Sequence, residues 1–576
     1  MNGRLSSPLS ALKPHYDVAV VGSGYGAGVA AARLASAGRS VCVLERGREI
    51  AVGEFPTHLS DMRRETQVSF SAGRIGDRAG LFDVRLGRDV HVAMGCGLGG
   101  TSLINANVCL EADPRVFEDP RWPAPVVRDG LMAEGLTRAR AMLRPKPYPG
   151  LRKLLKLEQL GASAKALGAE LTLPPLHIAF EHGTNAAGVE QHACVLCGDC
   201  FAGCNVGAKT TTALTYLPAA ASHGAEIFTR VEVRSLTKEK DGRWRISIAT
   251  RPESGWETRM TLTANVVVLG AGTLGSTEIL LRSRAEGLAL SEHLGARFTT
   301  NGDALATAYN NDRPVNSVGV GYPAKAHTEP VGPAVAGLVD LRRTEKLEDG
   351  LALVESSIPS GAAALLPALF AVGGPLIGRD TDFSLADELD EAGRTLVSLI
   401  AGAYQGAVRN TQTFLAVGHD SGLGRMRLEA DRIAIDWPGA AQDPVFQRIE
   451  ETFKRATAAT GGTYMKNPLS LRLMGGSQLT VHPLGGCVMG NDQTTGVVNH
   501  KGQVFDGGPT AAPAAVHEGL YVCDGAVLPR SLGVHPLLTI TALAERAMIH
   551  LARDRGWTIR TSAAAESAGP AKRPGS

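Results

Sequence analysis

Two stretches of the chain pass from a short apolar run through a glycine turn into a second apolar pattern. Residues 17–47, DVAVVGSGYGAGVAAARLASAGRSVCVLERG, predict a buried strand, a tight turn, a helix of small residues and a second strand that ends on Glu45. Residues 265–276, NVVVLGAGTLGS, repeat the step from buried strand to helix start. Elsewhere the period changes. Polar and apolar positions alternate through Arg425-Met426-Arg427-Leu428 and Arg432-Ile433-Ala434-Ile435-Asp436-Trp437, which predicts antiparallel strands. Residues 445–458, VFQRIEETFKRATA, have helical spacing with one charged, solvated face. A last helix, LLTITALAERAMIHLA, can be opened by Pro536, where a missing amide costs little. Residues 361–378, GAAALLPALFAVGGPLIG, are wholly apolar, but Pro367, Gly373, Gly374 and Pro375 argue against one straight spanning helix. Such a segment suits an apolar lid over a cavity, a patch that dips into a bilayer, or core packing.

The first glycine turn has the layout that holds a dinucleotide pyrophosphate. Gly22 permits the tight turn, Gly24 lets bare backbone approach the phosphates, Ala27 and Gly28 let the helix lie close on the sheet, and the helix N-terminus faces the anion. Glu45 then accepts hydrogen bonds from ribose hydroxyls. A second glycine stretch at residues 95–105, GCGLGGTSLIN, is too long for a hairpin turn and too poor in charge for a surface linker. It reads as backbone lying flat against a planar ligand. With the third contact at residues 265–276, these features suit a cofactor held along its whole length, so FAD fits better than a nicotinamide.

Five segments in this order, GSGYGAG, GCGLGGTSLINANV, VVVLGAGTLGSTEILLRS, VHPLGGCVMG and EGLYVCDGAVLPRSLGVHPLLTITALAER, resemble the glucose-methanol-choline (GMC) oxidoreductases, and the cholesterol oxidase branch is the most similar. The resemblance implies an α/β fold in which a Rossmann-like FAD-binding domain, at residues 14–112, 205–300 and 476–556, interleaves with an α+β substrate domain built on an antiparallel sheet at residues 301–475. Residues 113–204 connect the two and carry a cysteine cluster, and the small, polar end of the chain, within 557–576, reads as a disordered tail. The same resemblance implies FAD contacts at Gly22, Gly24, Tyr25, Gly26, Ala27, Glu45, Gly95, Gly99, Gly100, Ser102, Asn105, Val233, Gly272, Asp524, Gly525 and Pro536. It also marks His482 and His535, each followed by proline, as the two active-site residues.

Alcohol oxidation by a flavin requires a base for the hydroxyl proton and a carbinol carbon held against flavin N5. His482 is expected to hydrogen-bond or deprotonate the hydroxyl. His535 is expected to orient the substrate and, beside the positive end of the last helix, to support charge at the N1/O2 edge of the reduced ring. The cholesterol oxidase branch has Asn where this chain has His535, a departure that loosens the link to sterols. Glu355 is the third catalytic candidate. It is an acid inside the apolar stretch Leu353-Val354-Glu355-Ser356-Ser357-Ile358-Pro359, where desolvation raises a carboxyl pKa. By position it looks like the glutamate that the cholesterol oxidase branch uses for proton transfer and enone isomerisation; a salt-bridged glutamate is the plain alternative.

Cys194, Cys197, Cys200 and Cys204 have the ferredoxin-type spacing C-x2-C-x2-C-x3-C of a [4Fe–4S] cluster, with Asn205 where ferredoxins have proline. Zinc, or no metal, are the alternatives. A cluster would take electrons singly and pass them to a quinone, a ferredoxin-like protein or another carrier, which favours dehydrogenase over oxidase behaviour.

Composition adds bounds rather than chemistry. In 576 residues, 44% hydrophobic with 68 glycines, the chain can bury a large core and form more than one structural unit. A net charge of +2 gives nucleic-acid binding no electrostatic footing. Residues 1–13 lack the apolar core of a signal peptide, and no apolar run of about 18 residues is free of helix breakers. A cytoplasmic protein is expected, with membrane association through residues 361–378. The sequence therefore predicts FAD-dependent oxidation of a hydrophobic or secondary alcohol, sterols included. Its alternatives are an oxygen-using cholesterol oxidase-like enzyme without a cluster, a flavoprotein lyase without net redox chemistry, and an electron-transfer subunit with a vestigial alcohol site.

Overall fold

The computed structural model describes residues 3–251, 256–323, 329–381, 385–467 and 477–560. Its frame is an eight-stranded sheet in which His15–Val21 runs parallel between Val41–Leu44 and Thr258–Leu269, with Val18 opposite both Val41 and Val266. The central strands read as unbroken apolar runs because both faces are covered. Val18, Val20, Val41 and Val43 enter one core cluster with the helices Tyr25–Ser36 and Leu537–Asp554, whereas Ala19, Val21, Cys42 and Leu44 enter another. Thr258–Leu269 serves two partners. Its first half pairs antiparallel with Trp244–Thr250, and its end pairs parallel with Val516–Val522, Val267 opposite Leu520. One sheet thus gathers strands from three separated parts of the chain.

Close approach at the first turn explains its glycines. Gly22 has φ +92°, and a Cβ there would stand 2.4 Å from the Gly270 carbonyl oxygen; a Cβ on Gly270 would in turn stand 2.7 Å from that of Ala27.

A second sheet of seven strands is antiparallel throughout, in the order Gly378–Arg379, Thr463–Lys466, Ala304–Tyr309, Gln412–Gly418, Leu351–Ser356, Leu338–Leu341, Leu171–Thr172. The helix Pro444–Ala458 begins where the Asp443 carboxylate accepts from the Val445 amide, and it buries Val445, Ile449, Phe453 and Ala456 against this sheet. The α/β class with an antiparallel second sheet is as the sequence implied. The alternating residues 425–437 do form antiparallel strands, Arg425–Glu429 with Arg432–Asp436, but as a separate hairpin outside the seven-stranded sheet.

The apolar segment corrects one expectation. Ser360–Leu365 is a 3-10 turn that leads into the helix Leu366–Ile377, so helical structure crosses Gly373 and Gly374 and includes Pro375. Pro367 lies in the first turn, where no intrahelical bond is lost, whereas Pro375 lies inside the helix near its end and forgoes one. Ser360–Ile377 has a mean hydropathy of 1.7 with 28% of it buried, and among the described residues it is the one helix long and apolar enough to cross a membrane. Leu366 and Phe370 pack inward with Tyr309 and Met465, while Leu365, Leu369, Val372 and Leu376 are exposed. Beside it, Leu385–Ala401 exposes Leu389, Leu396, Val397, Leu399 and Ile400. The expected tail at residues 561–576 lies outside the described residues.

Candidate active site

A cavity of about 430 Å³ opens where the first glycine turn, the loop at residues 95–105 and the C-terminal block meet. Its walls include Gly22, Gly24, Tyr25, Gly26, Glu45, Gly95, Gly100, Asn105, Val233, Gly272, Asp524, Gly525 and Pro536. Ala27, Gly99 and Ser102 stand behind these walls. The Ser102 hydroxyl donates to the Gly99 carbonyl at 2.6 Å and accepts from the Thr212 amide at 3.1 Å, which holds the loop in shape. Gly26 is a packing glycine as well as a wall: a Cβ there would lie 1.9 Å from the Cys523 carbonyl oxygen.

The cavity fits FAD. A Cβ on Gly24 would meet no protein atom within 4 Å, so bare backbone faces the space that a pyrophosphate would fill. Glu45 is buried and accepts from the Ser23 hydroxyl at 2.6 Å and the Gly47 amide at 2.7 Å; burial pushes its pKa up. Its remaining lone pairs can take ribose hydroxyls. Asp524 joins two of the glycine-rich segments, accepting from the Gly272 amide at 2.9 Å, the Ser276 hydroxyl at 2.5 Å and the Ala526 amide at 2.9 Å. Burial raises its pKa to about 6.

His482 and His535 line the same cavity, their rings 5.1 Å apart and nearly perpendicular at 80°. His482 Nδ1 lies 2.8 Å from Asp303 Oδ1. The other oxygen of Asp303 accepts from the Thr480 hydroxyl at 2.8 Å and from the amides of Val481 and His482 at 2.8 and 2.9 Å, so the carboxylate is fixed from several sides. A carboxylate at Nδ1 keeps the proton on that nitrogen and leaves Nε2 as an acceptor. His535 is 2% exposed, and neither ring nitrogen has a hydrogen-bond partner among the described residues. Burial first, and the neighbouring His482 second, hold its pKa well below the ordinary 6.5. Among these protein groups it is therefore held as a neutral imidazole. The start of the helix Leu537–Asp554, at Pro536 and Leu537, borders the cavity and brings its positive end there.

The chain matches the GMC oxidoreductase family in two parts, the N-terminal part over residues 34–301 and the C-terminal part over residues 441–544. It belongs to the GMC oxidoreductases. A cholesterol oxidase of Mycobacterium tuberculosis is 28% identical, over 93% of this chain and 91% of that protein. A long-chain-alcohol oxidase of Arabidopsis thaliana is 24% identical, over 92% of this chain and 65% of that protein. Among solved structures, a pyridoxine 4-oxidase from Mesorbium loti superposes with a TM-score of 0.55 at 16% identity, covering 93% of this chain and 99% of the other, a likeness of fold. This GMC oxidoreductase is an FAD-dependent enzyme acting on CH–OH groups.

Glu355 is not beside the histidines. It does not line the cavity; it is fully buried, accepts from the Ala336 and Gly337 amides at 2.8 and 2.9 Å, and pairs with Lys156 Nζ at 3.3 Å. Burial raises its pKa, as expected, against the opposing pull of Lys156. The geometry places it in a buried ion pair and not on the cavity wall.

That pair borders the cysteine loop. Cys194, Cys197, Cys200 and Cys204 line one small, largely apolar cavity together with Ile178, Val206 and Lys209. Leu196 at φ 60° and Gly198 and Gly203, also left-handed, wind the loop around it. The Ala334 amide donates to Cys200 Sγ at 3.4 Å. Burial pushes the Cys194 thiol up to about 12 and raises those of Cys197 and Cys200, so without a cation all three stay protonated. No three of these sulfurs gather within 4.8 Å of one another. Four soft thiol donors on one small cavity could hold zinc or an iron–sulfur cluster. The residues missed by sequence reasoning are Asp303, Lys156 and Lys209. Asp303 and Lys156 act across long sequence separations, and Lys209, though only nine residues from Cys200, belongs to no recognisable motif.

Proposed function

We propose that this enzyme oxidises a hydrophobic or secondary alcohol, sterols included, to the carbonyl. Asp303 holds Nδ1–H of His482, Nε2 accepts the hydroxyl proton, and neutral His535 offers one donor and one acceptor to orient the alcohol. When bound, FAD accepts the hydride from the carbinol carbon. The observation that carries the reading is the Asp303–His482 pair facing the unpartnered His535 within one cavity. Hydrophobic substrates are favoured by the names of the relatives, cholesterol oxidase and long-chain-alcohol oxidase, and by the exposed apolar helices, which suit peripheral contact with a bilayer.

The four cysteines hold a [4Fe–4S] cluster in this reading, and it would relay single electrons to a quinone or a protein carrier rather than to oxygen. Nine unpaired cysteines suit a reducing, cytoplasmic setting. The test is anaerobic reduction of the bound flavin by a panel of alcohols, with iron and acid-labile sulfide assayed on the same protein. Bleaching by alcohols with about four irons per chain supports both parts. A flavin that stays oxidised, or iron-free protein that forms peroxide freely in air, would overturn the first or the second.

A further inference from the structure

Two buried ammonium groups flank the cysteine loop, and only one of them has an anion. Lys156 pairs with Glu355 and also donates to the carbonyls of Pro333 and Ala334, the latter at 3.1 Å. Lys209 is 1% exposed, and its Nζ donates to three backbone carbonyls: Leu103 at 3.0 Å, Asn105 at 2.7 Å and Cys200 at 3.1 Å. Among the described residues no carboxylate pairs with it. An ammonium removed from water without a counter-ion is destabilised, and three carbonyl dipoles compensate that only in part. Neutral thiols supply no anion. Four thiolates around an iron–sulfur cube do, because the assembly carries net negative charge.

We propose that Lys209 is the buried counter-cation of the cluster held by Cys194, Cys197, Cys200 and Cys204, and that it couples this cluster to the flavin-side loop. The role rests on the cluster reading above. Lys209 lines the cysteine cavity and at the same time pins Leu103 and Asn105, the end of the glycine loop. The Asn105 amide group donates to the Tyr25 hydroxyl at 2.7 Å, and both residues line the FAD cavity. One ammonium therefore touches the backbone of both redox sites. It is a positioning residue: its charge favours the electron-rich state of the cluster and thereby raises the cluster's reduction potential.

The test is a spectroelectrochemical titration of anaerobically prepared Lys209→Met and Lys209→Arg proteins, with FAD, iron and sulfide contents measured alongside. With contents unchanged, Lys209→Met should make cluster reduction harder by about tenfold in the one-electron equilibrium constant, a shift of about 59 mV to more negative potential, while Lys209→Arg stays near wild type. Loss of iron from Lys209→Met alone, with FAD retained, also supports the proposal. An unchanged potential in Lys209→Met, or equal loss of iron from both variants, overturns it. Wild-type protein without iron overturns the cluster reading itself, and this role with it.

Discussion

His482 presents Nε2 to the cavity because Asp303 takes the other side of the ring, and that division decides what each substitution does. His482→Gln removes the proton acceptor and should slow flavin reduction by about 10²- to 10⁴-fold while FAD stays bound. Asp303→Asn keeps the packing but no longer enforces the tautomer, and about 10²-fold is expected in the same rapid-mixing measurement. Rates within threefold of wild type for both would contradict the assignment. His535 gives a prediction about pH. Its pKa lies well below 6.5 in the folded protein, so its contribution to stability is present above 6.5 and is lost as pH falls toward the folded value. From about pH 7 to about pH 5, wild type should therefore lose melting temperature relative to His535→Asn. A constant gap over that range counts against a buried neutral imidazole.

At the scale of elements, the strand Leu351–Ser356 carries Glu355 to Lys156 rather than to the flavin. Glu355→Gln leaves a buried ammonium unpaired and should destabilise the fold by about 3–5 kcal/mol, measured by denaturant unfolding, without slowing flavin reduction in protein that remains folded. The helix Leu366–Ile377 and its neighbour Leu385–Ala401 make a different prediction. Leu369→Asp with Leu376→Asp changes only exposed positions, so melting is unaffected, but sedimentation with phosphatidylcholine vesicles should fall severalfold. Equal sedimentation of wild type and variant would remove the membrane role. These elements were unequally legible. The strand–turn–helix at residues 17–47 declares itself because turn, packing and phosphate approach all need small residues within a few positions. Pro367 sits in the first turn, where its missing amide costs no intrahelical bond, while Pro375 lies inside the helix and forgoes one only two residues from its end.

Across the whole molecule, the mixed eight-stranded sheet carries the glycine turns of the cofactor cavity, and the two histidines line that same cavity. The histidines and glycines could be read from sequence because each belongs to a compact motif. Asp303 could not, because it meets His482 from 179 residues away through tertiary packing alone. Glu355 was read correctly as buried with a raised pKa, yet burial alone did not reveal which cation it faces. The most direct measurement is anaerobic mixing of the FAD-loaded enzyme with a long-chain secondary alcohol, a sterol and a short polar alcohol, following the yellow flavin absorbance. The account predicts bleaching by the hydrophobic alcohols in wild type and little or none in His482→Gln. Flavin that stays oxidised with every alcohol, although dithionite bleaches it, would contradict the account.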